Sequence, residues 1–322
     1  MAFATLGVDL GGTKIAAALV DDGGKILADH TAPTGADRDA SAVIADIVRI
    51  VRDELGPGAR GAAALGIGVA GQVDPADGTV LEAPNLHWHH VPLGADLSSA
   101  LGLPVVVTND VRAATWGEWR HGAGRGAQDL VTLFVGTGVG GGIVSGGRVL
   151  TGCTNTAGEI GHITIVTDGR PCTCANRGCL EAYTGGWAIA AQAQEAARAD
   201  AAGARGLIER AGSIGAITAK TVAEAFGDGD RLAQSLIGTV ARHLAAGIVT
   251  LVNAFNPCLL ILGGGVLEGV PRLVEMVEGP VRARALAAAT RRLRFTRAAL
   301  GREAGVVGAA AIAREAAGGR AQ

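Results

Sequence analysis

The sequence is short of charge and of cysteine. Only 18% of the 322 residues are charged, and they nearly cancel, to a net charge of −2. That balance offers no electrostatic footprint for nucleic acid or for an anionic membrane surface, so neither is expected as a partner. Cysteine occurs five times, three of them at 172, 174 and 179. This is no disulfide framework, and a cytoplasmic setting is expected. No signal peptide is visible: Asp9 and Lys14 interrupt the apolar first twenty residues, and no basic segment precedes them. The longest apolar stretch, HLAAGIVTLVNAFNPCLLILGGGV, is broken by Asn253, Asn256 and Pro257. A helix, a turn and a buried strand are expected there rather than a membrane span. There is no G-x-x-x-x-G-K-[ST] loop. GTGVGGG leads into a second strand-like run instead of opening a helix, which excludes a dinucleotide fingerprint.

What the chain does have is apolar residues, at 48%, and 51 glycines. The first is a globular composition, and the length suits two domains or one large one. The glycines follow no collagen-like period and cluster between apolar runs, where backbone must come close to a ligand.

TLGVDLGGTKIAAALVDDGGKIL reads as a meander: a strand to Asp9, a Gly-Gly turn, a second strand over Ile15 to Val20, then a third. Val43, Ile44, Ile47, Val48 and Val51 have helical spacing, with Asp39 or Ser41 as cap. AALGIGVAG and PVVVTND read as buried strands, the second leading into the helix VRAATWGEWRHGAG. DLVTLFVGTGVGGGIVSGGRVLTG repeats the layout of the opening, which suggests an internal duplication. Helices then alternate with the buried strand CLLILGGGV, and AGVVGAAAIAREAA closes the chain as an alanine-rich helix, suited equally to a core or to an interface. The fold class is therefore α/β, with ligands expected in a deep cleft between two such domains. The boundary is expected near Gly122 to Gln128. That gives a small domain over 1–121, joined by the C-terminal helix 305–322, and a large domain over 122–304.

Two strand–turn–strand units carry glycine and threonine at their tips, Gly11-Gly12-Thr13 and Gly136-Thr137-Gly138. Glycine lets backbone N–H groups converge on an anion, and the threonine hydroxyl adds a donor. Either alone could be a plain hairpin turn. Asp9, a carboxylate ending an apolar strand, packs poorly but would hold Mg²⁺ beside phosphates, usually through water. Gly263-Gly264-Gly265 after LLIL would suit a nucleoside close to backbone.

The stretch AGEIGHITIVTDGRPCTCANRGCLEAYTGG gathers most of the unusual chemistry. His162, Cys172, Cys174 and Cys179 supply one nitrogen and three sulfurs, a closed tetrahedral zinc set; the alternative is three buried thiols. With four protein ligands no position is left for an activated water, so a single structural Zn²⁺ is expected, in a loop 162–179 with little core of its own. Cys153 and Cys258 fall outside the pattern, and Cys258, in an apolar run, reads as a core residue. Glu159 and Glu181 flank the set, so a metal pinning His162 and Cys179 would fix both carboxylates in space. Asn109-Asp110, between strand and helix, reads either as a helix cap or as a general base.

These motifs have a recognisable order: D-x-G-G-T-K at Asp9–Lys14, N-D before a helix, G-T-G-x-G-G-G from Gly136, E-x-G-H from Glu159, and H-x9-C-x-C-x4-C from His162. In that order the sequence resembles the ROK family of bacterial sugar kinases and sugar-responsive repressors, in the sugar kinase, Hsp70 and actin superfamily. The likeness runs from Gly7 to the last helix, and the zinc spacing with E-x-G-H is its specific part. It implies two actin-like, ribonuclease H-like α/β domains. It also implies phosphate binding by Asp9, Gly11, Gly12, Thr13, Lys14, Gly136, Thr137 and Gly138, with the nucleoside by Gly263, Gly264 and Gly265. Asp110 would be the catalytic base. Asn109, Asp110, Glu159, His162 and Glu181 would bind sugar, helped by backbone near Gly71 and by Asn85. The expected activity is ATP- and Mg²⁺-dependent phosphorylation of a hexose, first of all glucose. N-acetylmannosamine, N-acetylglucosamine and fructose are alternatives, as is polyphosphate for the donor. Homodimers or homotetramers are common in this family. A repressor would carry a helix-turn-helix domain first, and here the phosphate strand starts within ten residues. Two departures stand out. Thr108-Asn109-Asp110-Val111-Arg112-Ala113-Ala114 replaces the E-N-D-A-N-A-A of many glucokinases, and Ala70-Gly71-Gln72-Val73-Asp74 replaces P-G-P-V-D.

Overall fold

The computed structural model describes residues 4–319. Its contacts separate two compact units, one of residues up to 127 with 149–158 and those from 299 onward, the other of 128–148 with 159–298.

In the first unit, β1 (Thr5–Leu10), β2 (Lys14–Val20) and β3 (Ile26–Pro33) form the antiparallel meander. After β4 (Leu65–Val69) comes a small sheet of β5 (Gln72–Val73), β6 (Val80–Ala83) and β7 (Trp88–Val91), and then β8 (Val105–Asn109). The main sheet runs β3-β2-β1-β4-β8, with β4 parallel to β1 and β8 parallel to β4. Leu10 pairs with Val69, and Val69 with Asn109, so three parallel strands end level. The carboxyl edge of parallel strands is where open α/β sheets bind ligands. This register brings Asp9, Gly71, Asn109 and Asp110 to one edge.

The second sheet consists of β9 (Leu130–Val135), β10 (Val139–Ser145), β11 (Arg148–Val149), β12 (Leu259–Gly263) and β13 (Arg294–Arg297), ordered β11-β10-β9-β12-β13. β9 and β10 are antiparallel, and β12 is parallel to both β9 and β13. Strand for strand this is the layout of the first unit, the topology a duplication would leave.

All five residues of β4 and of β12 are buried, as in parallel strands covered on both faces. One cover of the first sheet is the helix Ala304–Gly319, where Val306, Val307, Ala309, Ala310 and Ala313 are buried. Its alanine-rich face is therefore core. A Cβ on Gly66 would stand 1.8 Å from the Ala309 carbonyl oxygen, so only glycine in the strand lets the helix lie this close. The last three residues of the expected helix 305–322 lie outside the described residues. The predicted helix after Asp39 forms as Ala40–Arg49 and widens into a π-turn over Ile50–Glu54; Asp39 holds the cap position without a side-chain bond. The long apolar stretch becomes the end of the helix Arg231–Phe255, a left-handed Asn256, and β12. That helix is long and apolar enough to cross a membrane, yet half of its most apolar window is buried inside the protein.

Three expectations need correction. Segment 149–158 belongs to the first unit, because Arg112 donates to the carbonyls of Asn155 and Ala157 and Asn155 donates to Val73 O. Residues 299–304 also belong there. The fully buried Glu118 carboxylate accepts from the backbone N–H groups of Ala299 and Leu300, at 3.0 and 2.7 Å, and from that of Ala123 at 2.9 Å. Finally, Cys258 is exposed: it precedes β12, and continuous burial begins at Leu259.

Candidate active site

Asn109 ends β8 and caps the helix Asp110–Arg120. Its Oδ1 accepts from Val111 N at 3.0 Å and from Arg112 N at 3.1 Å, and its Nδ2 donates to Gly71 O at 3.3 Å. Asp110 is the first helical residue, half-buried, with Oδ1 accepting from Val111 N at 2.8 Å. Cap and candidate base are thus two residues. At the neighbouring strand end, burial pushes the half-buried Asp9 carboxyl above the usual carboxylate range, with the Lys14 ammonium only partly offsetting it. A bound cation would reverse that shift. Thr13 and Lys14 are exposed at the β1–β2 turn, as is Asn85. A Cβ on Gly12 would lie 2.7 Å from Asn85 O, so that turn and Asn85 meet.

In the second unit the Gly136–Gly138 turn closes with Gly136 N donating to Gly138 O at 2.9 Å, and its Thr137 is exposed. Behind it stands Glu181, only 8% exposed and therefore no surface acid. Its Oε2 accepts from Val139 N at 2.8 Å; its Oε1 accepts from Trp187 Nε1 at 3.2 Å and Thr173 Oγ1 at 3.3 Å. A carboxylate can accept about four hydrogen bonds, so one lone pair remains for a ligand hydroxyl. Gly264, at φ +94°, passes so close to Val135 that a Cβ would fall 2.5 Å from its carbonyl oxygen. Packing alone therefore requires glycine there. Gly265 beside it is exposed, with nothing near a Cβ.

Glu159 is exposed and leads into the single turn Ile160–His162. That turn is seated on β10: a Cβ on Gly161 would lie 2.0 Å from the Val139 carbonyl oxygen. Gly161→Ala should therefore cost about 2 kcal/mol or more, the scale of forced overpacking, and lower Tm by several degrees. An unchanged Tm in differential scanning calorimetry would contradict this packing.

The ligand atoms of His162, Cys172, Cys174 and Cys179 lie within 4.8 Å of one another. His162 Nδ1 stands 3.7 Å from Cys172 Sγ, and Cys174 Sγ is 3.7 Å from Cys179 Sγ. A disulfide would need about 2.05 Å. A tetrahedron with Zn–S bonds of about 2.3 Å has edges of about 3.8 Å, which these separations match. The backbone supports the shape, with Cys172 N donating to Asn176 O at 2.9 Å and left-handed Ala175 and Gly178 turning the chain. Burial, with the facing sulfurs of Cys174 and Cys172, pushes the Cys179 thiol up to about 12. Zinc would have to displace that proton.

Sequence reasoning missed three supporting residues. The fully buried Thr34 donates from Oγ1 to Gly11 O at 2.6 Å and from its N–H to Thr13 O at 3.0 Å, bracing the β1–β2 turn. Thr173 and Trp187 fix Glu181. Thr173, between two cysteines, and Trp187 are near Glu181 in the chain; Thr34 meets the Gly11 turn from a distant segment.

The model of the ROK family matches residues 5–316. The chain is 36% identical over 319 residues to a glucokinase of Streptomyces coelicolor, covering 97% of this chain and 98% of that one. It is 36% identical over 279 residues to an N-acetylmannosamine kinase of Escherichia coli, covering 84% and 87%. Its fold matches the crystal structure of a ROK family glucokinase from Streptomyces griseus in complex with glucose and AMPPNP, with a TM-score of 0.83, 38% identity and coverage of 97% and 99%. With the same strand order in both units and a match reaching from the first strand to the last helix, the chain belongs to the ROK family, in the superfamily of sugar kinases, Hsp70 and actin.

Proposed function

We propose that the protein is an ATP-dependent hexose kinase, with glucose as the preferred acceptor. The observation that carries this reading is Asp110, a carboxylate at the level ends of three parallel strands, directly after the helix cap Asn109. The kinship with glucokinases supports it.

Phosphoryl transfer asks the protein mainly for positioning and charge stabilisation. The Gly11–Thr13 and Gly136–Gly138 turns offer N–H groups and threonine hydroxyls to the phosphates, and Lys14 adds a positive charge. Asp9 would hold Mg²⁺, which supplies charge neutralisation on the nucleotide when bound. The nucleoside lies by Gly263–Gly265. On the first unit the sugar is bound by Asn109, Asp110, Asn85 and the backbone at Gly71. The candidate sugar-binding side chains of the second unit, taken by itself, are Glu159, His162 and Glu181. Asp110 accepts the proton of the acceptor hydroxyl as its oxygen bonds to the γ-phosphorus, and the bond to the ADP oxygen breaks in line. Products are the sugar phosphate and ADP.

Zn²⁺ would be held by His162, Cys172, Cys174 and Cys179 and would supply a structural anchor, with no open coordination position. Were zinc held through His162 Nδ1, the ring nitrogen 3.7 Å from Cys172 Sγ, Nε2–H would be left as a donor for a sugar hydroxyl. A cytoplasmic homodimer or homotetramer completes the reading.

The relationship to an N-acetylmannosamine kinase favours one second reading, the same chemistry on an N-acetylated hexosamine. Purified, zinc-replete protein assayed for ADP formation against glucose, N-acetylmannosamine, N-acetylglucosamine and fructose separates the two. Glucose should turn over fastest with ATP, and polyphosphate should not replace it. Folded protein that turns over none of these sugars would overturn the kinase reading.

A further inference from the structure

Arg112, where the glucokinase pattern has asparagine, is only 7% exposed and sits two residues after Asp110. Its guanidinium reaches three acceptors on one segment: Nη1 donates to Asn155 Oδ1, and Nη2 donates to Asn155 O at 2.9 Å and Ala157 O at 3.2 Å. Asn155 is itself left-handed, at φ +60°, a region that asparagine enters more readily than most non-glycine residues. Its Nδ2 then donates to Val73 O at 3.1 Å, while Asn109 donates to Gly71 O at 3.3 Å. The result is a closed circuit within the first unit: the helix of Asp110, the segment 151–158, and Gly71 with the strand β5 that follows it. Ala157 N to Thr151 O, at 3.0 Å, ties the segment to itself.

We propose that Arg112 is a positioning residue for the acceptor sugar. Its planar fork holds segment 151–158 against Gly71 and β5, so that the backbone beside Asp110 is set before the sugar binds. The inference rests on the sugar-kinase reading and adds to it a residue outside the proposed contacts. A fork that meets a side-chain oxygen and two carbonyls at once is specific to arginine; lysine brings a single ammonium and cannot reproduce it. Preorganisation of this kind acts on binding, because a loosened segment must be ordered by the sugar itself.

The test uses steady-state kinetics with separate titrations of sugar and ATP. Arg112→Ala should raise the sugar KM about tenfold, with kcat and the ATP KM within about threefold of wild type, and Arg112→Lys should recover only part of the loss. Asn155→Ala, which removes no charge, should raise the sugar KM similarly, and the double variant should be no worse than Arg112→Ala, since both break one circuit. Hydrogen exchange across 151–158 should quicken in each variant. An active Arg112→Ala with unchanged sugar KM, or with sugar and ATP KM rising alike, overturns the proposal. So do strictly additive effects of the two substitutions. If Arg112→Ala does not fold, Asn155→Ala decides alone, by the same two readouts. Wild type that phosphorylates no hexose would instead fell the kinase reading itself.

Discussion

Asp110→Asn should lower kcat by at least about 10²-fold, the scale of a lost general base, while Tm and the sugar KM stay near wild type. The substitution keeps the size of the side chain and an oxygen that can accept from Val111 N, as Asp110 does at 2.8 Å. It leaves the helix cap in place, because the cap is Asn109. Only the proton acceptor is removed. Asn109→Ala should behave in the opposite sense: loss of the cap costs about 1 kcal/mol, and loss of the bond to Gly71 O loosens the sugar side. Its mark should be a lower Tm and a raised sugar KM. Steady-state rates and melting curves on the two variants separate these roles. Asp110→Asn retaining more than about a tenth of wild-type kcat would show that Asp110 is not the base.

Loss of the metal should have the largest effect on stability. Cys179→Ser, at a fully buried position, should abolish stoichiometric zinc and lower Tm by about 10 °C or more. Prolonged chelation should do the same to the wild type. The sugar KM should rise with it. The metal would pin His162 directly and hold the loop whose Thr173, between Cys172 and Cys174, donates to Glu181. The sign of the pH dependence follows from Cys179. Its thiol, pushed up to about 12 by burial, is protonated at neutral pH without metal, so zinc must expel that proton. Apparent zinc affinity should therefore weaken as pH falls, and zinc uptake at neutral pH should release protons, measurable in a weakly buffered titration. Elemental analysis showing no zinc, with a Tm insensitive to chelator, would rule out the metal.

The second unit shows most clearly why some features were legible and others were not. H-x9-C-x-C-x4-C can be read along the chain because all four ligands come from one short loop, closed by local bonds such as Cys172 N to Asn176 O. The glycine turns and the flanking strands are equally local, since alternation, β-branching and turn residues act over a few positions. So the α/β alternation and the doubled hairpin were visible before any coordinates. The small sheet β5-β6-β7 was not, because strands of two to four residues carry too little pattern. Nor was the exposure of Cys258, whose apolar neighbourhood in sequence ends in space one residue before the buried strand.

By itself, then, the sequence determined the local chemistry: which strands and helices form, which turns present backbone N–H groups, and which four side chains could share a metal. Tertiary structure alone decided which side chains work together. It split cap from base at Asn109 and Asp110, buried Glu181 behind the Gly136–Gly138 turn, and assigned 149–158 to the first unit through Arg112 and Asn155. It also gave the buried Glu118 its partners 181 and 182 residues away. The physical reason is range. Backbone propensity and ligand spacing act between near neighbours in the chain. A buried charge must instead find its donors or acceptors wherever folding brings them, and no local pattern encodes that meeting.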